Sequence, residues 1–167
     1  MSVRLYGSSG NDSIATPRWL FDRLDAAFRF DLDAFSSHAN HLAAFYSTAA
    51  GTFVEGRKVW IDPREGFEFP WSGLGVFANP PYSRLMDAVA KFEREVESAR
   101  WIAMLVKWDT STKWAQRLEE CAIVQPLKRR IPYVHPDPPP GWSGATFASA
   151  LAFPRRDWSA VPREGKA

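Results

Sequence analysis

Cysteine is nearly absent from this chain: Cys121 is the only one in 167 residues. It sits in Glu119-Glu120-Cys121-Ala122-Ile123-Val124 and reads as a small apolar core residue, so a disulfide framework and a cysteine-based zinc site are both excluded. A reducing, intracellular setting fits. Long hydrophobic runs are lacking too. No stretch approaches the ~18–20 apolar residues that a membrane span needs, and none resembles a secretory signal, so no membrane partner is expected. Charge of one sign is also scarce, since 21 Lys and Arg against 19 Asp and Glu leave a formal net charge of +2. That is too small to argue a nucleic-acid partner from bulk charge, and any such case rests on local clusters. There is no internal repeat and no second hydrophobic domain.

What is present is enough for one globular unit. Hydrophobic residues make up 46% and aromatics 14%, a composition that buries a core without staples at this length. The most informative stretch is Val76-Phe77-Ala78-Asn79-Pro80-Pro81-Tyr82-Ser83. An apolar run of strand character ends on an Asn, two prolines block further ladder pairing, and an aromatic follows where the chain turns into a helix. Asn79 and Pro80 each precede a proline and are pushed into extended conformations, while Pro80 and Pro81 have no N–H. The stretch therefore offers acceptors, the Asn79 side-chain oxygen and the Pro80 carbonyl, beside the flat ring of Tyr82. Such a seat suits an amino group on a planar heterocycle. The plain alternative, a Pro-Pro loop closing a buried strand, explains the prolines but not their flanks. A chance Asn-Pro-Pro-Tyr in a chain of this length has a probability on the order of one in a thousand.

Around that stretch the chain alternates strands and helices. Residues 1–15 read as a flexible arm. Thr16-Pro17 is a helix-start signal, with Thr16 as N-cap and Pro17 at the first helical position, and a helix is predicted from Pro17 to Phe28. Phe30 to Phe35 reads as the first strand. Asp33 at its carboxyl end faces the crevice where an open α/β sheet binds a nucleotide-like ligand. A short helix is predicted from Ser37 to Tyr46, carrying His38 and His41, which are read as packing or surface residues with no metal role. Residues 47–56 read as a loop. Lys58 to Ile61 reads as a strand ending at Asp62, a second, weaker carboxylate candidate for a ribose. Residues 63–74 are too broken for regular structure. Arg84 to Ser98 reads as an amphipathic helix that Ser83 can cap, and Trp101 to Val106 as a strand covered on both faces. Lys113 to Glu120 is a helix and Cys121 to Val124 a short strand. Lys128-Arg129-Arg130 is the one three-residue basic cluster and the candidate contact to nucleic-acid phosphates; the bland alternative is a charged strand edge. Ile131 to Val134 and Phe147 to Phe153 are predicted to form an antiparallel hairpin closing a mostly parallel sheet. The tail from Pro154 is polar. The fold class is therefore α/β, doubly wound, with about seven strands.

Asn79-Pro80-Pro81-Tyr82 resembles the catalytic motif of S-adenosylmethionine-dependent amino methyltransferases, shared by DNA adenine-N6 enzymes and by some protein-glutamine and RNA enzymes. Three further stretches resemble the phage-type DNA N-6-adenine-methyltransferase (Dam) family in order and spacing. These are Thr16-Pro17-Arg18-Trp19-Leu20-Phe21, Phe30-Asp31-Leu32-Asp33-Ala34 with Asn40 and Tyr46 downstream, and Leu105 followed by Asp109-Thr110-Ser111-Thr112-Lys113-Trp114. The likeness runs from about Thr16 to Phe153. It implies a Rossmann-like methyltransferase domain over residues 16–153, between the arm and a tail at 154–167. It implies S-adenosylmethionine as cofactor, with Thr16 and Pro17 by its methionine end and Asp33, Phe35 and Ser36 in the cofactor loop. It further implies double-stranded DNA as substrate, with Tyr82 and Ser83 at the target base, in the cytoplasm of a bacterial host and with phage or prophage origin. Ser36 and Ser37 depart from the family pattern, which has glycines after Asp-x-Phe. Methyltransferases of glutamine or RNA, and a non-catalytic DNA-binding module, remain open at this point. So does a homodimer, since so small a chain has room for target recognition only in loops or a second subunit.

Overall fold

The computed structural model describes residue 12 and residues 14–156, apart from 58, 136, 139, 143, 145 and 146. Most of the predicted arm and the tail from residue 157 onward lie outside the described residues. Seven strands form one sheet: β1 (Leu32–Asp33), β2 (Phe45–Thr48), β3 (Gly51–Val54), β4 (Gly75–Ala78), β5 (Trp101–Lys107), β6 (Ala122–Pro126) and β7 (Ser149–Pro154). Their order across the sheet is β3-β2-β1-β4-β5-β7-β6. β1 pairs in parallel with both β2 and β4, and β4 in parallel with β5. β3 and β7 run antiparallel to their neighbours. The order reverses between β1 and β4, and the crevice beyond the carboxyl ends of those two strands is where an open α/β sheet receives a ligand.

Side-chain alternation along the central strands divides the core into two layers. Val76 and Ala78 of β4, Ile102, Met104 and Val106 of β5, and Ala150 and Ala152 of β7 face the side covered by α2 (Leu85–Glu95) and α3 (Lys113–Cys121), meeting Leu85, Val89, Phe92 and Leu118. Phe77, Ala103, Leu105 and Leu151 face the other side, where α1 (Arg18–Phe28) brings Leu20 and Phe21. Phe21 meets Phe77 edge to face with centroids 5.3 Å apart, a favoured aromatic geometry. β5 is an unbroken apolar run from Trp101 to Val106, and Ile102 to Val106 are buried because both faces of the strand are covered. Helix α3 begins sharply because the Thr112 hydroxyl accepts from the Ala115 N–H.

Several sequence expectations are corrected here. Ser37 to Tyr46 is not a helix, and residues 47–56 are not a plain loop. The chain instead makes a tight turn at Ser37–Asn40 and then the β2–β3 hairpin, in which Tyr46 pairs with Phe53. His38 and His41 pack on Tyr46, His41 with its ring stacked 4.0 Å away. The stretch before Asp62 is no strand: Val59, Trp60 and Ile61 are exposed, and only an isolated bridge joins Asp62 to Thr52. The first strand is reduced to Leu32–Asp33. Ile131 to Val134 is not the partner of β7. β7 lies between β5 and β6, and Val134 bridges Ala15 instead. Ser83 does not cap α2, because it lies inside a turn of 3-10 helix over Tyr82–Arg84. Asp12, Ile14 and Ala15, within the stretch read as an arm, are docked: Ile14 and Ala15 are buried and the Asp12 carboxylate accepts from Ser83 N–H at 2.9 Å.

The irregular segment between β3 and β4 is pinned by a buried ion pair. Lys91 and Glu95, one turn apart on α2, meet at 2.6 Å with almost no solvent exposure of the lysine. Lys91 Nζ also donates to the Phe69 carbonyl, and Glu95 accepts from Trp71 N–H and from Ser98 Oγ. Burial lowers the lysine pKa against the raising effect of the glutamate. Removing one partner of such a pair leaves a charge with nothing to balance it. Glu95→Ala should destabilise the chain by about 3–5 kcal/mol and Glu95→Gln by clearly less, as measured by urea unfolding.

Candidate active site

β4 delivers Asn79 to the rim of the crevice. Ala78 is the last paired residue, and Pro80 and Pro81, both buried, have no N–H with which to extend the ladder. The neighbouring bank is built by β1, whose end is tied across by the Ala34 N–H donating to the Phe77 carbonyl at 2.9 Å. The register sets Asp33 beside Phe77, so Asp33 and Asn79 leave adjacent strands within two residues of each other. The structure thus brings together the two residues that the sequence singles out most strongly.

Asp33 is 3% exposed and accepts from the Leu42 N–H at 3.0 Å. Desolvation raises its pKa to about 6, against the lowering effects of the Leu42 N–H, His41 and the Phe35 N–H. Phe35 packs on Phe67 with centroids 4.5 Å apart. Ser36 closes the turn after β1, with both its N–H and its hydroxyl donating to the Ser47 carbonyl at 2.9 and 3.0 Å. Beyond it the Ser47 and Thr52 hydroxyls meet at 2.8 Å, and Thr52 donates to the Arg64 carbonyl. The two serines that stand in place of glycine thus open a loop that is hydrogen-bonded to the hairpin.

Asn79 is half-buried, and its Nδ2 donates to Thr16 Oγ1 at 3.0 Å. The expectation that Thr16 caps α1 is corrected. The N-cap is Pro17 with no side-chain bond, and the Thr16 hydroxyl is turned to Asn79. Tyr82 packs edge to face on Phe147 and Tyr133, at 5.1 and 6.4 Å. Among the described residues its buried hydroxyl makes no hydrogen bond of normal geometry and lies near the Tyr133 hydroxyl, and burial holds its pKa well above the ordinary value. Tyr82, Ser83 and Leu85 form one wall of a pocket of about 270 Å³, and Lys107, Asp109, Thr112 and Trp114 form the other. The Asp109–Trp114 stretch that the sequence singles out is therefore brought against the turn at Tyr82 and Ser83.

Two predicted residue groups lie apart from this centre. Asp62 sits by the edge strand β3 and is clasped by Arg64 through both carboxylate oxygens, at 2.8 and 2.6 Å, which lowers its pKa to about 2. Lys128, Arg129 and Arg130 are exposed, on the segment leading to buried Ile131 and Tyr133. Sequence reasoning missed the contribution of residues 65–67. Arg84 stacks 3.8 Å from the Phe67 ring and lies 3.5 Å from Glu65. A Cβ on Gly66 would lie 1.9 Å from the Ala34 carbonyl oxygen, so this segment lies directly on the end of β1. The lone glycine in Glu65-Gly66-Phe67 was the available signal, since such a residue marks close backbone approach.

An open mixed sheet with a buried carboxylate and a proline-backed amide at its strand-order reversal defines an α/β protein whose strand order turns back between β1 and β4. The chain belongs to the DNA N-6-adenine-methyltransferase (Dam) family, whose model matches residues 7–164. No curated protein matches it. Family membership carries methylation of adenine in DNA as the family activity. Among the described residues no helix is long and apolar enough to cross a membrane.

The raised pKa of Asp33 has a consequence for stability. Its folded pKa is about 6 against an ordinary 3.8, so between those values the folded chain holds a proton that the unfolded chain releases. The contribution of this carboxyl is complete below about pH 4 and is lost as pH rises through about 6. An amide in its place does not titrate. The stability of wild type relative to Asp33→Asn should therefore fall by about 2 kcal/mol between pH 4 and pH 7, read from urea unfolding at the two pH values.

Proposed function

We propose that this chain transfers a methyl group from S-adenosylmethionine to N6 of adenine in double-stranded DNA, on a Rossmann-like methyltransferase sheet, in the cytoplasm of a bacterial host. The observation that carries this is the position of Asn79-Pro80-Pro81-Tyr82 at the end of β4, across the crevice from Asp33. The chemistry of the donor set fits the cofactor. A buried carboxylate with a raised pKa, at the strand-order reversal, suits its ammonium or hydroxyl donors. S-adenosylmethionine, when bound, supplies an electrophilic methyl on a sulfonium centre. Asp33 would hold one polar end of it, with Pro17 and Phe35 as apolar walls. Ser36 is bound to Ser47 and would shape the loop. Asp62, held by Arg64, is the weaker candidate for the ribose.

The protein's own part is to prepare the target amine. The adenine amino lone pair is delocalised into the ring, which makes it a poor nucleophile. Asn79 Oδ1 and the Pro80 carbonyl accept its two N–H groups, favour a pyramidal nitrogen and stabilise the positive charge that develops on it. Each such bond is worth ~1.5–3 kcal/mol, roughly 10- to 150-fold in rate. No strong base is required, since the methylated amine loses its proton readily. To reach the rim from a duplex the base must leave the stack, and the ring of Tyr82 would repay ~1–3 kcal/mol of lost stacking. Ser83, on the same turn, faces the pocket as a further polar contact.

Lys128, Arg129 and Arg130 would meet DNA phosphates. They precede Ile131 and Tyr133, and Tyr133 packs on Tyr82, so a basic run and the catalytic turn share one supporting segment.

Asn79→Ala should abolish methyl transfer to adenine-containing duplexes while calorimetry still finds S-adenosylmethionine bound; normal turnover would sink the assignment. A wild-type chain that binds no S-adenosylmethionine would point to a non-catalytic module. Tyr82→Phe should be mild because it keeps the ring, and Tyr82→Ala severe because the ring itself is needed. Replacing all three basic residues by Gln should flatten the slope of log affinity against log salt by about two to three units and weaken all sequences alike. An unchanged slope would move the DNA surface to the loops around Arg64 and Arg84.

A further inference from the structure

We propose that Thr16 is a positioning residue that anchors the Asn79 side-chain amide; the proposal rests on the methyl-transfer reading above. A side-chain amide has two orientations related by a half-turn, one presenting oxygen and the other an NH2 group. Only the first can accept from an amine. Asn79 Nδ2 donates to Thr16 Oγ1 at 3.0 Å, which leaves Oδ1 for the crevice. With the amide reversed, two donors would confront each other where the target amine must sit.

A hydroxyl pairs with either end of an amide, so what Thr16 supplies is a fixed anchor that holds Asn79 at the rim. It is 6% exposed. On its amino side, Ala15 and Val134 exchange two backbone hydrogen bonds, with the Ala15 N–H on the Val134 carbonyl at 2.6 Å and the Val134 N–H on the Ala15 carbonyl at 3.0 Å. Ile14 is buried in the same cluster as Phe21, Phe77 and Tyr133. On its carboxyl side, the N–H groups of Leu20 and Phe21 close the first turn of α1 on the Pro17 carbonyl. A threonine at the start of a helix ordinarily accepts from the helix's free N–H groups. Here it does not, and its oxygen is available to a residue 63 positions away. The stretch Thr16-Pro17 is thereby joined directly to Asn79.

The test compares Thr16→Val, which keeps the shape and removes the hydroxyl, with Thr16→Ser, which keeps the hydroxyl. On a duplex substrate at saturating S-adenosylmethionine, kcat should fall roughly 10- to 100-fold in Thr16→Val and stay within about threefold of wild type in Thr16→Ser. Because Thr16 also lies by the expected methionine end of the cofactor, the Kd for S-adenosylmethionine is measured separately, and the loss in Thr16→Val should fall on kcat more than on that Kd, since the observed bond is to Asn79. A second readout does not depend on activity. In 15N spectra the Asn79 side-chain NH2 should show slowed hydrogen exchange in wild type and Thr16→Ser, and lose it in Thr16→Val. A Thr16→Val protein with wild-type kcat, or one whose only change is weaker cofactor binding, overturns the positioning role while the methyl-transfer reading stands. Unchanged Asn79 exchange in Thr16→Val overturns it equally. A wild-type chain with no methyl transfer at all would overturn the methyl-transfer reading, and this proposal with it.

Discussion

The termination of β4 is the constraint on which the rest of the site depends. β4 is held on both sides, by β1 and β5, so its direction and register are fixed by two ladders. Two successive residues without an N–H then make further pairing impossible. The chain must leave the sheet at Asn79, in an extended backbone, at the point where the strand order reverses. A strand at the edge of the sheet would reach the same point with one ladder fewer to hold it, and an ordinary residue in place of either proline could carry the ladder on past the rim. Central position and lost donors together convert a strand end into a fixed mount for an amide.

The mount is supported from three directions by interactions of different physical kind. Beneath it, Phe77 and Ala78 face opposite layers, so α1 and α2 press the strand from both sides. Behind it, the Thr16 hydroxyl engages the amide. Across the crevice, residues 65–67 lie on the end of β1 and are joined to Arg84 by charge and by ring contact. The last of these has its own anchor in the buried Lys91–Glu95 pair, which holds Phe69 and Trp71. Buried ion pairs contribute little net stability compared with apolar packing, but they define one arrangement, because any other leaves a charge unbalanced. In this chain that specificity falls on an irregular segment whose sequence could not otherwise choose a conformation.

What was legible in the sequence follows from how local its causes are. β5 reads correctly because Trp101 to Val106 is an unbroken apolar run, and α2 and α3 because their apolar stripes recur at helical spacing. The Asn-Pro-Pro stop reads correctly because proline acts on its own backbone. The failures lie where distant partners decide. The residues from Ser37 to Tyr46, with alanines, leucine and two histidines, suit a helix by propensity, yet Tyr46 and Ser47 are drawn into a hairpin by Phe53 and Thr52 and by the bonds from Ser36. Ile131 to Val134 has strand composition but meets Ala15 across the chain and not β7. Thr16 looks like a cap because that is what threonine does before Pro at a helix start; its partner at Asn79 has no local signature. The Asp33 pKa was likewise invisible, since burial is a property of the packed hairpin and not of the Asp-Leu-Asp run.

The replacement of glycines by serines after Phe35 takes on a definite meaning in this light. A glycine loop at that place gives close approach of backbone to a ligand, with its N–H groups unengaged. Ser36 instead places both of its donors on one carbonyl of β2, and the hydroxyl relay through Ser47 and Thr52 carries the connection to the Arg64 carbonyl. Arg64 in turn holds Asp62. The loop that would cradle a cofactor is thus linked, through a chain of hydroxyls, to the segment that lies over β1. Rigidity gained in this way does not need the loop's own backbone to be special. It needs the hairpin, so the β2–β3 pair at the edge of the sheet, which contributes little to the main core, is what gives the β1 side of the crevice its shape.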